Sequence, residues 1–335
     1  MFSLKHLIAA CLAVLLAAPA FLLTSCSSGT VTEKPAGLPE LIAFTSNRSK
    51  AVAIFTIKPD GTALTSLSSD NRSIDMMPAW SPDSTRMSFS SNRSDNFEIW
   101  TMDAEGGNRQ RLTDRRIWNG LPGWSPDGGK IVFVGQVRNA AGLSDMEIFV
   151  INADGSDLRQ LTDSSTFHVE TGHAETGEAG HSHHTGWNSV PAWSPDGSKI
   201  LFSSNRDGNP VTPILYTMNP DGSGQQKFGL FTDVDGSDPD WSAANNRIVL
   251  ARGTAAKRDI WVMDGGSPFP LLTAKKLTDN IDNNHNPKWS PDGRQIAFVS
   301  DTHGSDDVFI MNADGSNVRR LTYDESVDDF PAWRQ

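Results

Sequence analysis

The chain has 335 residues, a formal charge of −11, 10 Trp, 28 Gly and 19 Pro, but only 2 Cys. A hydrophobic share of 37% excludes a wholly disordered polymer. The acidic balance excludes sequence-independent binding to nucleic acid, which needs a basic stripe to displace phosphate counterions, and two cysteines cannot build a disulfide framework or a thiolate zinc cluster.

At the start of the chain, Lys5 and His6 precede an uncharged run from Leu7 to Leu23, at the lower edge of what spans a bilayer. The run ends in Leu23-Thr24-Ser25-Cys26, followed by Ser27. An apolar residue, two small ones and a cysteine resemble a bacterial lipoprotein signal. That resemblance implies cleavage before Cys26 and lipid (palmitate among the acyl chains) on the Cys26 thiol and amino group. Ser27 in place of Asp resembles the outer-membrane sorting pattern, facing the periplasm or the cell surface. Residues 1–25 are therefore expected to be a signal peptide. Residues 26–40, rich in Ser, Thr, Pro and Gly, are expected to be a lipidated tether. A multiply acylated end anchors stably without a spanning helix.

From residue 41 onward the chain repeats. Trp80, Trp124, Trp193, Trp241, Trp289 and Trp333 each follow a Pro-x dipeptide, and four of them continue as W-S-P-D. A β-rich run comes next, such as Lys130-Ile-Val-Phe-Val134, then a turn such as Ser91-Asn92-Arg93. A second apolar run, such as Ile148-Phe-Val-Ile151, ends at an Asp-Gly turn, and a last short strand ends near Leu-Thr-Asp. Short apolar runs separated by Asp-Gly and Pro-Asp are hairpin signals, because those residues accept the angles of tight turns. Each unit of roughly 44 residues thus predicts four antiparallel strands, A to D, the signature of a propeller blade.

Residues 41–70 hold strands B, C and D but lack the P-x-W strand, whereas the chain ends on Pro331-Ala332-Trp333 with nothing after it. The fragments complete each other. The prediction is an all-β, six-bladed β-propeller over residues 41–335, closed by the C-terminal strand joining the N-terminal blade, and monomeric.

The motif set resembles the TolB-type, WD-like propeller repeat. The resemblance implies the fold and an envelope setting. It does not carry the α/β domain that precedes the propeller in that family, since a signal and tether stand there instead. Docking to an envelope protein partner, such as a peptidoglycan-associated lipoprotein, is compatible with the resemblance, although no residue match supports it. Fold alone does not give function.

Connectivity assigns the faces. The A–B and C–D turns, with their W-S-P-D-G and Asp-Gly sequences, lie on one side and are explained by turn chemistry. The B–C turns and D-to-A crossovers lie on the other. Three residues before each Pro stand Asp75, Asn119, Asn188, Gly236, Asn284 and Asp328, with Asp235 and Asp238 beside the glycine and His285 and Asp329 adjacent. Two readings stand open. These polar residues either ring the channel mouth and receive a cation, a basic partner loop or a saccharide, or they cap their own loops and pair with arginines such as Arg48, Arg93 and Arg206.

One crossover is long, taking 28 residues from Asp163 to Pro191 where the others take six to eight. The insertion, spanning 164–190, carries His168, His173, His181, His183 and His184 among several Glu. His-rich tracts are a compositional signal for Zn²⁺, Cu²⁺ or Ni²⁺, though the spacing matches no defined zinc motif and also suits a solvated loop. There is no G-x-S-x-G elbow, H-E-x-x-H or P-loop. The sequence thus points to a lipid-anchored envelope scaffold that binds a protein. The competing expectations are a carbohydrate-active or metal-dependent propeller enzyme, with Trp118 and Trp187 stacking on sugar, and a metal-binding lipoprotein.

Overall fold

The computed structural model describes residues 40–49, 51–68, 72–138, 144–164, 187–207, 213–229, 233–254, 256–279 and 282–335. The expected signal peptide, Cys26 and nearly all of the tether lie outside them, as do all five histidines of the insertion. Among the described residues, no helix is long and apolar enough to cross a membrane.

The W-S-P-D-G segments fold as anticipated from their chemistry. In the third blade Ser125 Oγ donates to Asp127 Oδ1 (2.5 Å) and accepts the Lys130 N–H (2.9 Å), while the Gly129 N–H donates to Asp127 (2.9 Å). Gly128 supplies the left-handed φ of 70° that this turn requires. The same turn recurs around Ser194 and Asp196, and around Ser290 and Asp292. It joins strand A to strand B, and alternation then leads into the buried run of each strand B, such as Ile131 to Val134.

Six four-stranded antiparallel sheets result. Their A strands are Asp75–Trp80, Asn119–Trp124, Asn188–Trp193, Ser237–Trp241, Asn284–Trp289 and Asp328–Trp333, in blades two to six and then blade one. Each A strand contacts the A strands of the blades on either side, and the last meets the first, so the sheets form a ring around these inner strands. Apolar clusters fill the space between successive blades. One joins Phe44 and Trp333 of blade one to Val308 and Ile310 of blade six, and another joins Ala43 and Ile54 of blade one to Phe89 of blade two.

The ring closes as predicted. Strand Asp328–Trp333 pairs with Ile42–Ser46 in the register Trp333 to Ile42 and Asp328 to Ser46, and the Arg334 N–H donates to Leu41 O (2.8 Å). The Trp333 indole reaches across to Lys288 O of blade six (3.1 Å), while Arg334 stacks on Trp80 and donates to Ser84 O (3.1 Å) in blade two. The chain end is thereby tied to both neighbours.

Three details were not read from the sequence. Every D strand is only two residues long, as at Thr65–Ser66 or Arg319–Arg320. A one-turn helix, Pro270–Thr273, interrupts the C–D connection of blade five. The stretch assigned to the insertion at 164–190 ends inside regular structure, because Asn188, Ser189 and Val190 already belong to the A strand of blade four.

Candidate functional site

On the crossover side the polar residue that opens the A strand is buried in five of the six blades. Asp75, Asn119, Asn188, Asn284 and Asp328 are all fully inaccessible. Their side chains are withdrawn from solvent, and Asp75, Asn188 and Asp328 are each held by an arginine of their own blade. Arg93 Nη2 donates to both carboxylate oxygens of Asp75 (2.7 and 2.6 Å), Arg48 to Asp328 (2.5 Å), Arg206 to Asn188 Oδ1 (2.9 Å) and Arg115 to Asn119 Oδ1 (2.8 Å). Most of these arginines come from the B–C turns and lie over aromatic rings of strands B and C, Arg48 over Phe44 and Phe55 and Arg206 over Phe202 and Tyr216.

The asparagines also reach the preceding blade. Asn119 Nδ2 donates to Glu98 Oε2 and Asn188 Nδ2 to Glu147 Oε2, each at 3.0 Å. Those glutamates, buried at the start of strand C, accept the hydroxyls of Thr113 (2.5 Å) and Thr162 (2.6 Å) from the Leu-Thr segments. The same threonine hydroxyls accept the Ile99 and Ile148 N–H groups, both at 2.9 Å. An Asn with an acid one blade earlier is one solution. Where strand C of blade one offers Ala53 instead, the following A strand opens with Asp75, whose carboxylate takes Arg93. In blade six the acid is Asp307, salt-bridged to Arg320 (2.7 Å), and it stands near Asp328. Burial, with Asp328 adding to it, holds the Asp307 carboxyl above the ordinary carboxylate range.

The side chains nearer the mouth lie two residues further along each A strand. Met77, Leu121, Val190, Asp238, Asn286 and Phe330 each precede the proline and each adopt a left-handed φ between 48° and 58°. At these positions the A-to-B register slips, between Met76 and Ala79 in blade two and equivalently in the others. Proline disfavours a helical conformation in the residue before it, and the bulge turns that residue off the sheet. All six are half-buried. They lean onto the next inner strand, where Met77 Sδ accepts the Leu121 N–H (3.4 Å) and Asn286 Nδ2 donates to Asp329 Oδ1 (2.6 Å). Around the ring, Phe330, Met77, Leu121 and Val190 form a continuous apolar arc, and Asp238 and Asn286 complete it with a polar one.

Beside the polar arc the acidic residues divide into two sets. Asp235 is salt-bridged to Arg252, and Asp238 to Arg258 (3.2 Å). Asp306 and Asp329 instead face His285, whose Nε2 lies 4.0 and 3.8 Å from them. Burial raises the Asp329 carboxyl above its ordinary value, against the opposing pull of His285 and of hydrogen bonds from Asn286 and the Phe330 N–H. A cavity of about 290 Å³ opens nearby, lined by Met146, Trp187, Val190 and Asp238 among others. Trp118 packs against Gly120 and Met77, leaving no room for even a Cβ at Gly120.

The model of the TolB β-propeller domain matches residues 34–172 and 231–335, more than half of the chain. The chain belongs to the TolB β-propeller domain family. This TolB-type propeller is 31% identical over 181 residues to a TolB homologue of Chlorobium luteolum, a match covering 52% of this chain and 34% of that protein. It is 26% identical over 220 residues to a protein of Agrobacterium fabrum, of which it spans 53%. The chain thus spans a third to a half of the length of these relatives. Its fold is similar to that of TolB from Acinetobacter baumannii, with a TM-score of 0.68 and 19% identity over 88% of this chain and 66% of the other. The blade between the two matched stretches is as regular in structure as the rest.

Of the nine residues expected at the channel mouth, Asp75, Asn119, Asn188, Asn284 and Asp328 are fully buried, and Asp235, Asp238, His285 and Asp329 lie beside the polar arc. The sequence reading missed the apolar arc and Asp306. The signal for the arc was present as the residue before each P-x-W proline. Asp306, at the B–C turn of blade six, carries no such mark.

Proposed function

We propose that this TolB-type propeller is a lipid-anchored envelope scaffold that captures an extended segment of a protein partner across its crossover-side mouth. The observation supporting this is the arc of Phe330, Met77, Leu121 and Val190, half-buried side chains set on strained backbone next to the Asp306 and Asp329 carboxylates. Left-handed non-glycine residues cost roughly 1–3 kcal/mol each and persist where surrounding structure enforces them, often at binding sites. Four apolar side chains on one side and acidic groups on the other suit a segment with an apolar stripe and a basic end. The TolB family membership supports an envelope setting, and lipid on Cys26 would hold the propeller at a membrane. Trp118 lies against Gly120, which disfavours that ring as a sugar platform and leaves only Trp187, in the cavity wall, for the sugar-stacking alternative.

A photo-crosslinking side chain placed at Leu121 or Phe330 in cells tests the reading, with Asp196 on the opposite face as control. A discrete adduct from the mouth positions only is the expected result. Equal labelling from Asp196, or none from the mouth, refutes it. Lipidation is checked separately by the mass of wild type and of Cys26→Ser.

A further inference from the structure

We propose that His285, Asp306 and Asp329 form a site for a divalent transition ion, zinc or manganese, that clasps blade six to the closing strand of the ring. His285 lies on the A strand of blade six, Asp306 at the entry to strand C of the same blade, and Asp329 on the C-terminal strand that completes blade one. One ligating atom from each of the three lies within 4.8 Å of the others.

The imidazole is what separates this cluster from an ordinary acidic patch. The residue is 7% exposed, and its Nε2, the nitrogen that faces the two carboxylates, makes no hydrogen bond among the described residues. A buried polar group without a partner is costly and calls for an explanation. The two carboxylates lie too far from Nε2 for a hydrogen bond, at 3.8 and 4.0 Å. Those separations are close to what an ion needs. With metal–ligand bonds of about 2.1 Å, the edges of a tetrahedron are roughly 3.4 Å, so the two His285 edges need to close by about half an ångström and the third, at most 4.8 Å long, by no more than about 1.4 Å.

The carboxylates are prepared in different ways. Asp329 Oδ1, the oxygen 3.8 Å from His285 Nε2, accepts the Asn286 amide and the Phe330 N–H, both at 2.6 Å, which fixes the rotamer; Oδ2 of the same carboxylate has no donor among the described residues and is the oxygen left for an ion. The Asp306 carboxylate has no donor among the described residues either, and is 30% exposed, giving solvent a route to complete the coordination. Among the described residues no Lys or Arg is paired with either acid, whereas Asp235, Asp238 and Asp328 each have an arginine. One imidazole with two carboxylates suits zinc or manganese, and the imidazole argues against calcium, which takes oxygen ligands. Asp306 and Asp329 also stand on the acidic side offered to a basic partner segment, so an ion here would neutralise part of that charge, but the site is tested by metal alone with no partner present.

The test is a titration of chelator-treated full-length protein with Zn²⁺ alone and with Mn²⁺ alone, read by calorimetry and by thermal melting. The insertion carries five further histidines, so the quantity read is the difference between wild type and variants that all keep it. Wild type is expected to bind one ion more than Asp306→Asn, or to bind that ion at least tenfold more tightly, and to gain several degrees of melting temperature that the variant does not gain. His285→Gln should behave like Asp306→Asn. If His285→Gln fails to fold, Asp306→Asn decides alone, because the change is isosteric at a partly exposed side chain. Equal stoichiometry, affinity and melting shift in wild type and Asp306→Asn would overturn the site. A response to Ca²⁺ without one to Zn²⁺ or Mn²⁺ would overturn the role of the imidazole.

Discussion

Replacing Trp333 with alanine tests the closure of the ring at its most concentrated point. The side chain is 4% exposed, packs in the cluster shared by blades one and six, and donates its indole N–H to Lys288 O at 3.1 Å. A buried Trp removes about 150–250 Å² from water. At roughly 25 cal/mol per Å² that is about 4–6 kcal/mol, consistent with the 3–5 kcal/mol typical of buried Trp→Ala. For a domain of this size each kcal/mol is worth about 2–4 °C, so the melting temperature should fall by roughly 10–20 °C. Trp241→Ala is the internal control. That indole is half-buried and bonds only to Asn246 Oδ1 of its own turn (2.7 Å), so its loss leaves no bond between blades broken. Differential scanning calorimetry of both variants decides the matter. If Trp333→Ala melts no lower than Trp241→Ala, the C-terminal strand does not carry the ring as described.

Four other outcomes follow from the same geometry. Arg48→Ala strands the buried Asp328 carboxylate and should cost about 3–5 kcal/mol in urea unfolding; adding Asp328→Asn, which imitates the asparagine blades, should recover a large part of it. Asn188→Asp would set a second carboxylate about 3 Å from Glu147, destabilising the fold at neutral pH and less so near pH 5, where one of the pair can take a proton, as pH-dependent melts would show. Asp127 and Asp196 have depressed carboxyl values because Ser125 and Ser194 hydroxyls, then backbone N–H groups, donate to them. Their contribution is present above the ordinary carboxylate value and lost as pH falls through the lower folded one, so Asp127→Asn should flatten the loss of stability below about pH 4. Val190→Asn, which copies Asn286, should relieve a β-branched side chain from a φ of 48° and leave the melting temperature unchanged or raised.

The blades and their number were legible because turn chemistry and strand alternation are local. W-S-P-D-G and Asp-Gly dictate their own backbone, and a P-x-W strand at the end with its blade missing at the start could be satisfied only by closure. For the five polar residues that open their A strands, packing decided between the two readings. Asp75 or Asn188 facing the mouth, and the same residue buried against Arg93 or Glu147, are identical in sequence, since the deciding partner arrives from another strand or another blade. Even so, the correlation of Asn119 with Glu98, and of Asp75 with Ala53, is written in the chain for a reader who knows which blades adjoin.

What the sequence determined by itself was the period, the turns and the means of closure, since each depends on neighbours within a few residues or on a repeat that counts itself. Only the folded ring decided which polar residues are buried in the blades and which stand beside the polar arc. The bulge before each proline rotates one side chain out of the sheet, and curvature brings His285, Asp306 and Asp329 together from two blades. Such convergence depends on angles between sheets, which no stretch of sequence specifies alone.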